Sequence, residues 1–151
     1  MKMIATRGFA SLIISAAVAV AMAAAAPLVF AGTTDEQAAL QAGAERLTSD
    51  QIAERFVGQT VTFVSASGDK TFLIHYGEDN NVAGRMVGGG WSDTGYYAVA
   101  NDDSICLSWN GSDKGRLRCM TVLVVDGVVK KYKADGSLSG SIVAFETGKA
   151  F

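Results

Sequence analysis

The sequence predicts a mainly β fold, either an antiparallel up-and-down sheet or a small eight-stranded barrel, with a short N-terminal helix. Eight runs rich in β-branched and aromatic residues start about 8–12 residues apart, and turn-forming residues separate them. The single proline, Pro27, precedes all of these runs, so no proline interrupts the hydrogen-bonded ladder between strands. The predicted strands are residues 60–66, 71–76, 81–87, 95–100, 104–109, 116–125, 128–134 and 137–145.

Residues 1–31 have the features of a secretory signal peptide. Lys2 and Arg7 form a positive start, an apolar segment follows, and Val29-Phe30-Ala31 provides a small-x-small cleavage site. Cleavage after Ala31 predicts a periplasmic or secreted mature chain without a transmembrane segment. The alternative is an uncleaved anchor, because about 18 apolar residues are close to the shortest length that spans a bilayer.

The short segment at residues 32–47 is rich in Ala and Gln. Thr34 and Gln37 are spaced as in a capping box, so the segment is predicted to be a short helix or a frayed arm. Residues 48–151 are predicted to form a single β domain.

The β domain is predicted to begin with one short amphipathic helix. Thr48 or Ser49 can cap this helix, and Gly58 suits its end. Ile52 and Phe56 lie four residues apart and therefore share a face.

The predicted strand 116–125 is apolar on both faces, so both faces should be covered. The interior of the sheet can cover one face. We expect the Ile52 and Phe56 side of the helix to cover the other.

The two cysteines, Cys106 and Cys119, are predicted to form a structural disulfide, because exported proteins fold in an oxidising compartment. A turn at residues 110–115 separates them, and symmetric pairing about this turn places them directly opposite each other. The alternative, a redox-active pair, is disfavoured because the two residues are too far apart for a Cys-x-x-Cys motif. The same register places Trp109 opposite Arg116, which would allow a cation–π contact.

Four short motifs stand out along the β domain: Gly58-Gln59-Thr60, Cys106 to Trp109, Cys119 and Asp135-Gly136. Together they resemble a family of small exported proteins from proteobacteria known as a domain of unknown function. The resemblance covers roughly residues 47–148, and it implies export and a β fold but supplies no activity or site residues.

Charge and composition exclude several functions. The chain has 13 basic and 15 acidic residues, a net charge of −2 and no basic cluster, which argues against nucleic acid as a partner. One histidine, His75, and two cysteines are too few for the usual zinc sites. The glycine run 88–90 is not followed by Lys-Ser/Thr, so it is not a phosphate loop. We therefore expect no metal and no cofactor.

The candidate binding residues are aromatic, with one arginine beside them. Adjacent strand residues face opposite sides, so either Tyr96 or Tyr97 must face out. These aromatics could line a pocket or form a contact patch, or they could be ordinary core and rim residues. The lysines at 130, 131 and 133 are interpreted as solvating or protecting a strand edge. The candidate binding residues are Trp91, Tyr96, Tyr97, Trp109 and Arg116.

The sequence predicts binding rather than catalysis. His75 is the only imidazole, and the chain contains no Gly-x-Ser-x-Gly motif. An eight-stranded barrel can enclose one small ligand, so we expect an exported domain that binds a small apolar or aromatic molecule. The second hypothesis is a protein-contact module, an inhibitor or adaptor of an envelope enzyme that docks through an edge strand or the Trp109 hairpin. The third is a hydrolase with paired carboxylates. The oligomeric state is not predicted.

Overall fold

Eight antiparallel strands close into a barrel in the computed structural model, which describes residues 32–151. From β2 to β9 each strand pairs with the next, and β9 pairs back with β2, so the predicted β fold is confirmed in its barrel form. The signal-peptide prediction for residues 1–31 lies outside the described residues. The strands within residues 32–151 are β1 (Glu45–Arg46), β2 (Gln59–Ser65), β3 (Thr71–Tyr76), β4 (Asn81–Met86), β5 (Ser92–Ala100), β6 (Ser104–Trp109), β7 (Arg118–Val125), β8 (Val128–Lys133) and β9 (Leu138–Thr147).

Local turn chemistry explains why the strands end close to their predicted limits. Asp126 and Gly127 connect β7 to β8 with φ angles of 51° and 80°, as a two-residue type I′ hairpin requires. Most residues other than glycine rarely adopt positive φ. Glycine adopts it freely, and Asp adopts it more often than most other residues do. The sequence therefore places this turn without help from the rest of the fold.

The disulfide between Cys106 and Cys119 is confirmed. The two residues are directly opposite each other in the β6–β7 ladder and are bonded. The bond joins two strands that are already hydrogen-bonded neighbours, so it reinforces the barrel wall.

The predicted contact between Trp109 and Arg116 is wrong. The β6–β7 ladder ends at the pair Leu107 and Arg118, because the Trp109 carbonyl accepts hydrogen bonds from the amides of residues 113 and 115 and the chain curls there. Arg116 lies in this loop, and its Nε donates to the carbonyl of Asp113 at 3.1 Å. Strand β7 consequently starts two residues later than predicted.

The N-terminal arm is ordered on the barrel. Helix α1 (Asp35–Gln41) carries the predicted capping box of Thr34 and Gln37. The Glu36 amide donates to the Gly136 carbonyl at 3.0 Å, and the Glu36 carboxylate accepts from the Thr121 hydroxyl at 2.8 Å. Strand β1, which the sequence did not predict, then pairs with β7. The arm therefore contacts the wall on the β7 side.

Helix α2 (Ser49–Phe56), capped by Thr48, lies across one end of the barrel. It contacts β2 on one side of the ring of strands and both β5 and β6 on the other, which is possible only for an element that spans the opening. Ile52 and Phe56 are fully buried, and the Phe56 ring lies 5.2 Å from the inward-facing ring of Tyr76. We call this end of the barrel the closed end.

The predicted packing of α2 on the outer face of β7 is therefore wrong. Met120, Val122 and Val124 of β7 face the interior, as expected for one face. On the other face Leu123 is fully buried, and its neighbour is Arg46 of β1 rather than the helix. The physical reason is that Ile52 and Phe56 fill the end of the interior, which would otherwise be open to water.

Removing the disulfide should destabilise the barrel. Replacing both cysteines, Cys106→Ser and Cys119→Ser, releases a loop with a sequence separation of 13 residues. We expect the free energy of unfolding to fall by about 3 kcal/mol and the melting temperature by several degrees. Thermal unfolding measured by circular dichroism checks this, with the reduced wild-type protein as the matched control. An unchanged melting temperature in both samples would contradict a structural role for the bond.

Candidate functional site

The end of the barrel opposite α2 is open and contains a cavity of about 550 Å³, which we call the mouth cavity. A second cavity of about 470 Å³, the side cavity, shares Phe63, Ile74 and Trp109 with it. Both volumes lie in the range of small-molecule pockets. The mouth cavity is lined by, among others, Phe63, Ile74, Leu107, Trp109, Met120 and Lys131.

Four aromatic rings form a continuous row in this half of the barrel. The ring centroids of Phe63 and Phe72 are 6.2 Å apart, those of Phe72 and Trp91 5.4 Å, and those of Trp91 and Trp109 5.2 Å. The last two pairs meet edge to face, which is a favourable geometry for aromatic pairs. Gly84 makes room for the indoles, since a Cβ atom at this position would lie 2.8 Å from both rings.

The loop between β6 and β7 holds Trp91 in place. Asp93 accepts hydrogen bonds from the amides of Ser112 at 2.7 Å and Gly111 at 3.1 Å, and the Ser112 hydroxyl accepts from Trp91 Nε1 at 2.8 Å. The hydrogen bonds from Ser112, and then that from Gly111, lower the pKa of Asp93 to about 2. Asp93 is therefore ionised at neutral pH, and the Trp91 ring is oriented by a fixed partner.

Lys131 of β8 faces the interior of the barrel. It pairs with the inward-facing Val122 and is only 2% exposed. Its Nζ donates to the hydroxyl of Tyr76 at 3.0 Å and lies 5.6 Å from the ring centroid of Phe63. A lysine thus lies in the wall of a cavity that is otherwise largely apolar.

Burial has a strong effect on the protonation of this lysine. Desolvation lowers the pKa of Lys131 from its ordinary 10.5 to about 7, and burial raises the pKa of its partner Tyr76. Within residues 32–151 the ion pair found is between Arg118 and Asp113, so no described carboxylate neutralises Lys131. In its charged form Lys131 therefore has no counter-ion among the described residues.

The rim of the mouth cavity is also rich in positive charge. Arg118 and Lys133 line it, together with a single carboxylate, Asp135. Asp135 accepts hydrogen bonds from the amide and hydroxyl of Ser137 at 2.9 and 2.6 Å. Because Arg118 is paired with Asp113, Lys131 and Lys133 are the cations of the cavity without an ion pair among the described residues, and Asp135 is engaged in its own turn.

The structure brings together two of the five predicted binding residues. Trp91 and Trp109 meet beside the mouth cavity. Tyr97 faces in and is 4% exposed, with its ring against Tyr76 toward the closed end, whereas Tyr96 faces out and is 61% exposed. Arg116 lies in the exposed loop. The prediction that one of the two tyrosines faces out is confirmed.

Lys131 is the residue that sequence reasoning missed. Its interpretation as an edge-protecting lysine is wrong, because β8 pairs with both β7 and β9 and has no free edge. Residues in a strand alternate between its two faces, so Val129 and Lys131 lie on the same face of β8. This alternation could have identified Lys131 as an inward residue only if the inward face of β8 had been known.

No known protein family, curated protein or solved structure matches this chain. The resemblance to exported proteobacterial proteins stays a prediction, and the function is argued from the geometry of the barrel.

Lys131 should make the stability of the protein depend on pH above neutrality. Because the pKa of Lys131 is lower in the folded protein than in the unfolded chain, the unfolded chain binds more protons between about pH 7 and pH 10. We expect the free energy of unfolding to rise with pH by up to about 1.4 kcal/mol per unit in this range. The raised pKa values of Tyr76 and Tyr97 oppose this only above about pH 10, where these residues would ionise in the unfolded chain.

Urea denaturation at pH 7, 8 and 9 measures this slope. Lys131→Met should abolish it, whereas Lys130→Met, which removes the same charge from the outer face of the same strand, should retain it. The same slope in all three proteins would show that Lys131 is not the titrating group.

Proposed function

We propose that this protein binds a small apolar or aromatic ligand in the mouth cavity and does not act as an enzyme. The observation that carries the proposal is a cavity of about 550 Å³ with aromatic and aliphatic walls at the open end of the barrel. Phe63 and Trp109 in this cavity, and Phe72 and Trp91 in the adjoining side cavity, are half-buried and adjacent to one another, and contiguous exposed apolar surface often marks a binding site. A ligand of matching polarity would cover them.

The opposite end of the barrel supports this arrangement. Ile52, Phe56 and Tyr76 are fully buried and fill the closed end, so the described part of the chain leaves the mouth as the wide approach to the interior. Barrels of eight strands have room for at most one small ligand between their side chains. The fold is therefore compatible with a single binding site rather than a channel.

The two alternative functions have less support. Docking through an edge strand or the Trp109 hairpin needs a free edge or an outward Trp109. Strands β2 to β9 are each paired on both sides, the free edge of β1 is only two residues long, and Trp109 lines the cavity. Hydrolysis by paired carboxylates needs two acids in one cleft, and Asp135 is the single carboxylate among the described residues that line the mouth cavity. Ligand binding is the function that the geometry favours.

We also propose that the protein is exported to the periplasm or secreted. The disulfide between Cys106 and Cys119 supports this, since disulfides persist in oxidising compartments. The positive and apolar N-terminal sequence is typical of a signal peptide. In residues 32–151, neither helix has the length and apolar character that crossing a membrane requires.

Fractionation of expressing bacteria tests export. We expect the periplasmic fraction to contain a chain whose intact mass lacks residues 1–31 and whose thiols are alkylated only after reduction. Full-length protein in the cytosol with both thiols free would contradict the proposal.

A neutral fluorescent probe tests ligand binding. N-phenyl-1-naphthylamine should become brighter in the mouth cavity and accept energy from the nearby indoles, which would identify where it binds. Trp109→Ala should weaken its binding about tenfold, corresponding to about 1.4 kcal/mol for a buried aromatic contact. Tyr96→Ala removes an exposed aromatic on the outer surface and should leave binding unchanged.

No saturable binding by the folded wild-type protein, or equal losses in Trp109→Ala and Tyr96→Ala, would refute a site in the mouth cavity.

A further inference from the structure

Lys131 is not explained by the binding of a purely apolar ligand. A buried ammonium group loses its hydration, and replacing such a group by an apolar side chain often stabilises a protein. Lys131 is nevertheless 2% exposed, in the wall of the mouth cavity beside the rings of Phe63 and Tyr76. A contact between Lys131 and a charged group of the ligand would explain why a lysine is buried here although the fold does not require one.

The hydrogen bonding of Lys131 is incomplete in its charged form. A protonated lysine has three N–H donors, and here one partner is present, the hydroxyl of Tyr76 at 3.0 Å. Lys131 forms no ion pair with any carboxylate of residues 32–151, where the ion pair found joins Arg118 and Asp113. A ligand carboxylate could accept the remaining hydrogen bonds and balance the charge at the same time.

The other charged groups at the cavity favour an anion as well. At the rim Arg118 is paired with Asp113, and Lys133 lies near Asp135, which is bonded to Ser137. The three cations Arg118, Lys131 and Lys133 and the two carboxylates Asp113 and Asp135 leave a local excess of one positive charge, in a chain whose net charge is −2. Clustered charges of one sign in a cleft attract ligands of the opposite sign.

We propose that the ligand is an amphipathic acid whose carboxylate pairs with Lys131 while its apolar body lies against Leu107, Trp109 and Met120. This inference rests on the proposed function, because it names the class of ligand for the same cavity. The polar end of the ligand lies deep in the barrel, and its apolar body covers the half-buried aromatic walls.

Binding should be coupled to protonation. A carboxylate stabilises the charged form of its partner, so it raises the pKa of Lys131, and the complex takes up a proton above about pH 7. The groups that face Lys131 are Tyr76 of β3 and the ring of Phe63 on β2. The charged groups elsewhere in the cavity are Arg118, Lys133 and Asp135.

Isothermal titration calorimetry with dodecanoate and dodecan-1-ol tests the inference, because the two probes share a chain and differ in charge. At pH 7 dodecanoate should bind at least ~10-fold more tightly than the alcohol. Lys131→Met should remove this difference, so that the two probes bind with similar affinity; the ratio of the two affinities is the readout, because the substitution also changes the cavity wall that both probes touch. Lys130→Met, the matched control on the outer face, should bind both probes as the wild type does.

The wild-type protein supplies a second measurement that needs no variant. Its affinity for dodecanoate should fall more than ~10-fold between pH 7 and pH 9, while its affinity for dodecan-1-ol should not. At pH 9 the heat of dodecanoate binding should depend on the ionisation enthalpy of the buffer, because a proton is taken up.

The results distinguish failure of the acidic-ligand inference from failure of the proposed apolar binding site. If dodecan-1-ol or N-phenyl-1-naphthylamine binds but dodecanoate has no advantage, or Lys131→Met keeps that advantage, the acidic ligand is wrong and the apolar site stands. If none of the three probes binds, both the inference and the proposed function are overturned.

Discussion

The pairing of β9 with β2 is the constraint on which the rest of the structure depends. It joins residues 59–65 to residues 140–147 and converts a row of consecutive hairpins into a closed wall. Only a closed wall has an interior, and only an interior makes the lysine at position 131 a buried group rather than one side chain among many on a sheet. Closure also pairs the outer edges of β2 and β9, so the edges of these strands need no protection from water or from other chains.

The two ends of the barrel interior differ in how they are filled. At the closed end, Ile52 and Phe56 of α2 pack against Tyr76 and fill the space. At the other end, aromatic rings line a space and do not fill it, and Gly84 leaves the room that two indoles need. This asymmetry is the physical basis for the proposal that the mouth binds a ligand, because a ligand would bury the apolar surface that remains there.

Lys131 is the residue at which the stability of the fold and the proposed function conflict. Its desolvation disfavours the folded protein at neutral pH, and the hydroxyl of Tyr76 provides one hydrogen bond in return. Groups of this kind, buried with a shifted pKa beside a cavity, are concentrated at functional sites. In the proposed complex the same lysine would link the ligand's charge, its own protonation and the pH dependence of folding.

Short-range patterns in the sequence alone determined the barrel strands, helix α2 and the pairing of Cys106 with Cys119, because turns and capping boxes depend on residues only a few positions apart. They left residues 32–47 open between a short helix and a frayed arm, and they did not reveal β1. The tertiary structure decided which face of each strand is inside. Strand β8 has Val128 and Val129 on opposite faces and lysines on both, so alternation alone cannot orient it. Only its pairing with β7 and β9 in a closed ring turns Lys131 inward, and only that ring brings Trp91 and Trp109 together and separates them from Tyr96. Contacts between residues far apart in the chain carry this information, and no local pattern contains it.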